Sequence, residues 1–161
     1  MNGSLALDAN LVLLLIVGSC NRQWISRHKK LADKTCFSED SYDRLLGLIA
    51  NFSELVFLPN VLTEVNNQLD GGMLKPAPQA LSDKLAILIR ESEEAYVRSD
   101  VASDRPEFNW LGLTDVALLL LCSTDSGRDT PTLVTLDIKL AAQAQKLGLS
   151  VINYREFLEF P

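Results

Sequence analysis

The 161-residue chain predicts an α/β fold with a parallel sheet covered by helices on both faces, and three observations carry that prediction. Four short apolar runs, Leu5-Ala6-Leu7, Leu55-Val56-Phe57-Leu58, Leu133-Val134-Thr135-Leu136 and Val151-Ile152, read as buried strands. Longer segments between them repeat apolar residues at helical spacing. Strand and helix therefore alternate, the order that sets parallel strands side by side through helical crossovers.

Taken in order, the first strand is bounded by Ser4 and Asp8, and Asn10 is read as the cap of a buried helix that runs to about Val17 and stops at Gly18. A polar, basic stretch covers 21–35. A helix is expected from about Ser38, with Leu45, Leu48, Ile49 and Phe52 on one face. After the second strand, Pro59-Asn60 opens a helix carrying Val61, Leu62, Glu64, Val65 and Leu69, which ends at Gly71-Gly72. The "MLKPAPQ" stretch reads as a loop. The following helix, marked by Leu81, Leu85, Leu88 and Ile89, finishes in "RESEEAY", whose charges read as solvated surface. Residues 98–108 are loop-like, an apolar helix from about Leu113 to Cys122 holds Asp115 near its start, and "STDSGRDTP" is a turn-rich connection. The third strand ends at Asp137, a helix runs to Lys146 with Gly148 as its stop, and the fourth strand follows.

With 47% hydrophobic and 22% charged residues, the chain suits one domain over 1–161. A net charge of −6 argues against coating nucleic acid through overall charge, but leaves room for a local basic patch or a metal-filled acidic cleft. Cys20, Cys36 and Cys122 form no C-x-x-C pair and no even disulfide set, which favours a reducing compartment. His28 is the one histidine, so a His-rich zinc site is excluded and any metal must be held mainly by oxygen.

The run "LALDANLVLLLIVGSC" imitates an export signal with a lipoprotein cleavage box. Yet residues 1–10 contain no Lys or Arg, and Asp8 interrupts the run. The uncharged part, Leu11 to Val17, is too short to span a bilayer. A cytoplasmic protein with no membrane partner is therefore expected.

In a parallel sheet the ligand crevice lies beyond the carboxyl ends of the strands, where Asp8 and Asp137 are both expected. Either aspartate alone reads first as a helix cap or turn residue. Glu64 and Asp115 lie within apolar helical stretches, where an unpaired buried carboxylate is costly. Four gathered carboxylates repel one another unless protonated or holding a cation, and oxygen ligands favour Mg²⁺ or Mn²⁺.

These motifs, "LALDANLVL" with Asp8 and Asn10, "FLPNVLTEV" with Glu64, "LTDVALLLL" with Asp115, and "LVTLDIKLA" with Thr135 and Asp137, make the chain resemble the PIN-domain nucleases, the family that includes VapC-type toxins. The resemblance spans nearly the whole chain. It implies a three-layer α/β/α sandwich, metal-dependent endonucleolytic cleavage of RNA, and Asp8, Glu64, Asp115 and Asp137 as catalytic metal ligands supported by Asn10 and Thr135. It also implies the toxin role, with an antitoxin-like protein and a homodimeric copy as candidate partners. Lys139 departs from the family pattern, in which many members have an acid two positions after the fourth aspartate; this puts a second metal in doubt. The 66–107 segment reads as an insertion shaping the substrate groove or a partner surface.

"NRQWISRHKK" has two readings of equal weight. Arg22, Arg27, Lys29 and Lys30 with Trp24 could contact phosphates and stack on bases, or form a solvated face with Trp24 in the core. His28, within this stretch, reads as a solvated surface histidine rather than a general base. Two further classes compete with the nuclease: an inactive PIN-like scaffold that binds RNA or protein, and a nucleotide- or phosphoryl-binding domain. The latter lacks G-x-G-x-x-G, a P-loop, and an acid beside Asp8 or two residues after it.

Overall fold

The computed structural model describes residues 3–123 and 129–160. Among them, five strands form one all-parallel sheet flanked by helices in a three-layer α/β/α sandwich. The strands are β1 (Ser4–Leu7), β2 (Glu54–Phe57), β3 (Glu93–Glu94), β4 (Thr132–Thr135) and β5 (Val151–Asn153), in the order β3-β2-β1-β4-β5. The central β1 pairs Leu5 with Leu55 on one side and Leu7 with Val134 on the other. Connections leaving β1 and β4 diverge to opposite flanks, so the crevice between their carboxyl ends is the switch point of the sheet.

β1 leads into α1 (Ala9–Cys20), whose residues Leu11 to Val17 are all buried. The run that imitates an export signal is the end of β1, Asp8 and this helix, which is about 18 Å long and packed against α3 (Glu39–Ile49), α4 (Pro59–Gln68) and α5 (Ala77–Glu91). Two expectations change here. The cap is Asp8, whose carboxylate accepts from Leu11 N, rather than Asn10. The helix also continues through Gly18; a Cβ there would stand 2.4 Å from the Tyr42 ring, so this glycine admits a close neighbour rather than ending a helix.

The basic stretch folds into a 3-10 turn at Arg22–Trp24 and a one-turn α2 (Lys29–Ala32). His28 is fully buried, correcting the solvated reading: its Nε2 lies 2.9 Å from the Leu69 carbonyl oxygen, and Gly71 packs so closely on the ring that a Cβ would overlap it. Ser38 caps α3 through a reciprocal capping box with Ser41. Phe52 falls beyond α3, in the turn before β2, although it still packs on the core.

The 66–107 segment is woven into the domain: it supplies the end of α4, the crossover α5, the edge strand β3 and α6 (Ser99–Ser103). The acidic tail expected to finish α5 leaves the helix at Glu91, and Glu93 and Glu94 pair with Val56 and Phe57 of β2. Residues 98–108, expected as loop, contain α6 and lead into α7 (Phe108–Leu111). Then α8 (Leu113–Leu121), α9 (Ile138–Lys146) and α10 (Tyr154–Glu159) complete the order. The expected turn at 123–131 falls largely on 124–128, outside the described residues. Among the described residues no helix is long and apolar enough to cross a membrane.

Candidate metal centre

β1 ends at Leu7, so Asp8 is delivered at the carboxyl edge of the central strand, where its backbone N–H donates to the Val134 carbonyl over 3.1 Å. Asp8 is buried, and both carboxylate oxygens are engaged. Oδ1 accepts from Leu11 N at 3.0 Å; Oδ2 accepts from Thr135 Oγ1 at 2.5 Å and Leu136 N at 2.8 Å. Asp8 thus caps α1 and also lines the cleft at the end of β1, two placements the sequence presented as alternatives.

Across the switch point, Asp137 caps α9 by accepting Lys139 N and Leu140 N on Oδ1. Its own N–H donates to Thr135 Oγ1 over 2.9 Å, so this single hydroxyl links the two aspartates. Asp137 is exposed at the mouth, whereas Asp8 and Thr135 lie beneath it. Glu64 enters from the second turn of α4 and Asp115 from the first turn of α8. Asp8, Asn10, Glu64, Asp115, Thr135 and Asp137 line one cleft of about 140 Å³, together with Thr114, which the sequence reading missed. Thr114 has no signal of its own beyond preceding Asp115 at the start of an apolar helix.

The electrostatics are those of crowded anions. Burial, followed by the charges of Asp137, Asp8 and Glu64, pushes the Asp115 carboxyl up to about 7. Burial and then the Asp8 charge raise Glu64, opposed by its hydrogen bond from Gln68. Burial also raises Asp8, while the bonds from Thr135, Leu11 and Leu136 pull the other way. The N-termini of α1, α8 and α9 favour anions at their first turns, each by about 0.3–1 kcal/mol, yet desolvation still dominates at Asp115. Among the described residues no Lys or Arg side chain lines the cleft, and no side chain donates a hydrogen bond to Asp115.

The donor chemistry is of the kind a hard divalent cation takes: carboxylate and hydroxyl side chains line the cleft, with no Lys or Arg among the described residues of its lining. As placed, no three His, Cys, Asp or Glu side chains among the described residues are grouped to hold an ion, so a shell drawn from three of these acids requires side chains to turn. Lys139 is exposed on α9, outside the residues that line the cleft.

The basic stretch lies elsewhere. It follows the C-terminus of α1, about 18 Å along that helix from Asp8. Arg22 pairs with Asp43 at 2.6 Å and lies over the Tyr42 ring, and Trp24 is half-buried against the core. Arg27, Lys29 and Lys30 are exposed at that remote end. No family model, no curated protein and no solved structure matches the chain.

Proposed function

We propose that the protein is a metal-dependent ribonuclease of the PIN type, with Mg²⁺ or Mn²⁺ held by Asp8, Glu64, Asp115 and Asp137. The observation that carries this reading is Asp115, a part-buried carboxylate that lines one cleft with three others, with no cationic side chain among the described residues of that lining. A divalent ion in such a site supplies an activated water and stabilises the oxygen that leaves a phosphodiester. Thr135 orients Asp8 by donating to it, and Asn10 and Thr114 offer neutral polar groups at the wall. The toxin role and an antitoxin-like or homodimeric partner rest on the sequence resemblance alone, and cytoplasmic residence on the interrupted apolar run at Asp8 and the unpaired cysteines.

The test is incubation of the purified chain with mixed RNA in Mn²⁺, in Mg²⁺ and in excess EDTA. Cleavage is expected only with the ions, and Asp115→Asn and Glu64→Gln should each reduce it at least a hundredfold while retaining the native circular dichroism spectrum. Cleavage that persists in EDTA, or in both variants, refutes the reading. A second reading, a scaffold that binds RNA or protein without cutting, is favoured by the absence, among the described residues, of a ready-grouped set of three ligands. It predicts no cleavage with either ion.

A further inference from the structure

The acid cleft continues into a second, larger concavity. A groove of about 520 Å³ shares Glu64 and Thr114 with the cleft and runs along α4, where Asn60, Thr63, Asn67 and Gln68 form its wall. With Glu64 these residues follow the i, i+3, i+4, i+7, i+8 spacing of one helix face, while Val61, Leu62, Val65 and Leu69 turn into the core. Among the described residues the groove's lining contains no Lys or Arg, and its one ionisable side chain is the acidic Glu64, so a phosphate is the wrong occupant.

Neutral amides are suited to a different group. Asn and Gln present a donor beside an acceptor, the pattern that pairs with the N6 and N7 edge of adenine, and unpaired RNA bases expose such edges. Among the described residues, Asn60, Thr63 and Asn67 have no side-chain hydrogen bond, whereas Gln68 donates to Glu64 across 3.4 Å. Pro59 adds an apolar surface for a base to lie against.

We infer that this groove is a nucleobase subsite: it takes an unpaired base, adenine first, from the nucleotide adjoining the phosphate at the acid cleft. The inference rests on the nucleic-acid reading of that cleft. Fluorescence anisotropy with labelled all-A, all-C, all-G and all-U short RNAs, in Ca²⁺ to fill oxygen sites, tests it on the full chain.

The wild type is expected to bind all-A RNA about tenfold more tightly than the others, since one bidentate amide contact discriminates by that order. Asn60→Ala and Asn67→Ala should reduce this preference to twofold or less with all-U affinity unchanged. Equal affinity for all four RNAs, no binding to any, or a preference intact in both variants overturns the subsite. Cleavage in Mn²⁺ is scored separately on the same proteins. Cleavage with no base-selective binding overturns the subsite and leaves the nuclease standing; base-selective binding without cleavage does the reverse.

Discussion

Thr135 and Asp8 are 127 positions apart in the chain, and the hydroxyl of the first donates to Oδ2 of the second over 2.5 Å. The same oxygen of Thr135 accepts the Asp137 N–H, so one buried hydroxyl ties the ends of β1 and β4 at the switch point. Thr135→Val keeps the shape and removes both bonds. A hydrogen bond to a charged group contributes about 1.5–3 kcal/mol, and urea unfolding near pH 8 should register a loss of that size. Thr135→Ser, which retains the hydroxyl, should lose about 1 kcal/mol or less. Equal stability of the valine variant and the wild type would show that the bond does not hold Asp8.

Asp115 gives stability a pH dependence of definite sign. Its carboxyl is raised from 3.8 to about 7 in the folded chain. Between those values the unfolded chain is ionised while the folded chain keeps its proton, so stability falls as pH rises from about 4 to 7 and levels off above. Asp115→Asn removes this dependence. In EDTA it should melt above the wild type near pH 8, with the advantage shrinking toward pH 4. A difference that is the same at both ends would place the carboxyl in open solvent.

Divalent ions should reverse the ranking. Binding to the native state raises the melting temperature in proportion to the logarithm of ion concentration. Protons compete for Asp115, so Mn²⁺ should stabilise the wild type more near pH 8 than near pH 6. Asp115→Asn should respond weakly at either pH. Thermal melts across a Mn²⁺ series measure this; equal shifts in both proteins would move the ion elsewhere.

Gly18 makes a prediction independent of the site. Alanine favours a helix over glycine by about 1 kcal/mol, but its Cβ would lie 2.4–2.7 Å from three atoms of the Tyr42 ring. Overpacking of this kind costs about 1–3 kcal/mol, so Gly18→Ala should be destabilising on balance. Tyr42→Leu in the same background should recover part of the loss in denaturant titrations. A more stable Gly18→Ala would mean that the ring yields freely.

The apolar strands and the four acids were legible because each announces itself locally, as a buried run or as a charge set within one. The illegible features depend on partners distant in sequence. Glu93 and Glu94 carry no apolar pattern and become a strand only through β2 beside them. His28 sits in a run of polar and basic residues, and its burial is decided by Leu69 and Gly71, some forty positions away. Gly18 has the appearance of a helix stop until Tyr42 is placed against it. On α4 the sequence marked the apolar face and Glu64, and only the fold joins the polar face to Thr114 across a groove.

The strand order also fixes a schedule for synthesis. β1 is made well before its neighbour β4, so the sheet cannot close around Asp8 until the chain has been extended past Asp137. At roughly 5–20 residues per second, that interval lasts roughly 6–26 s. Throughout it, Asp8 has neither the Thr135 hydroxyl nor the company of Asp137, and the nascent chain has no assembled acid cleft.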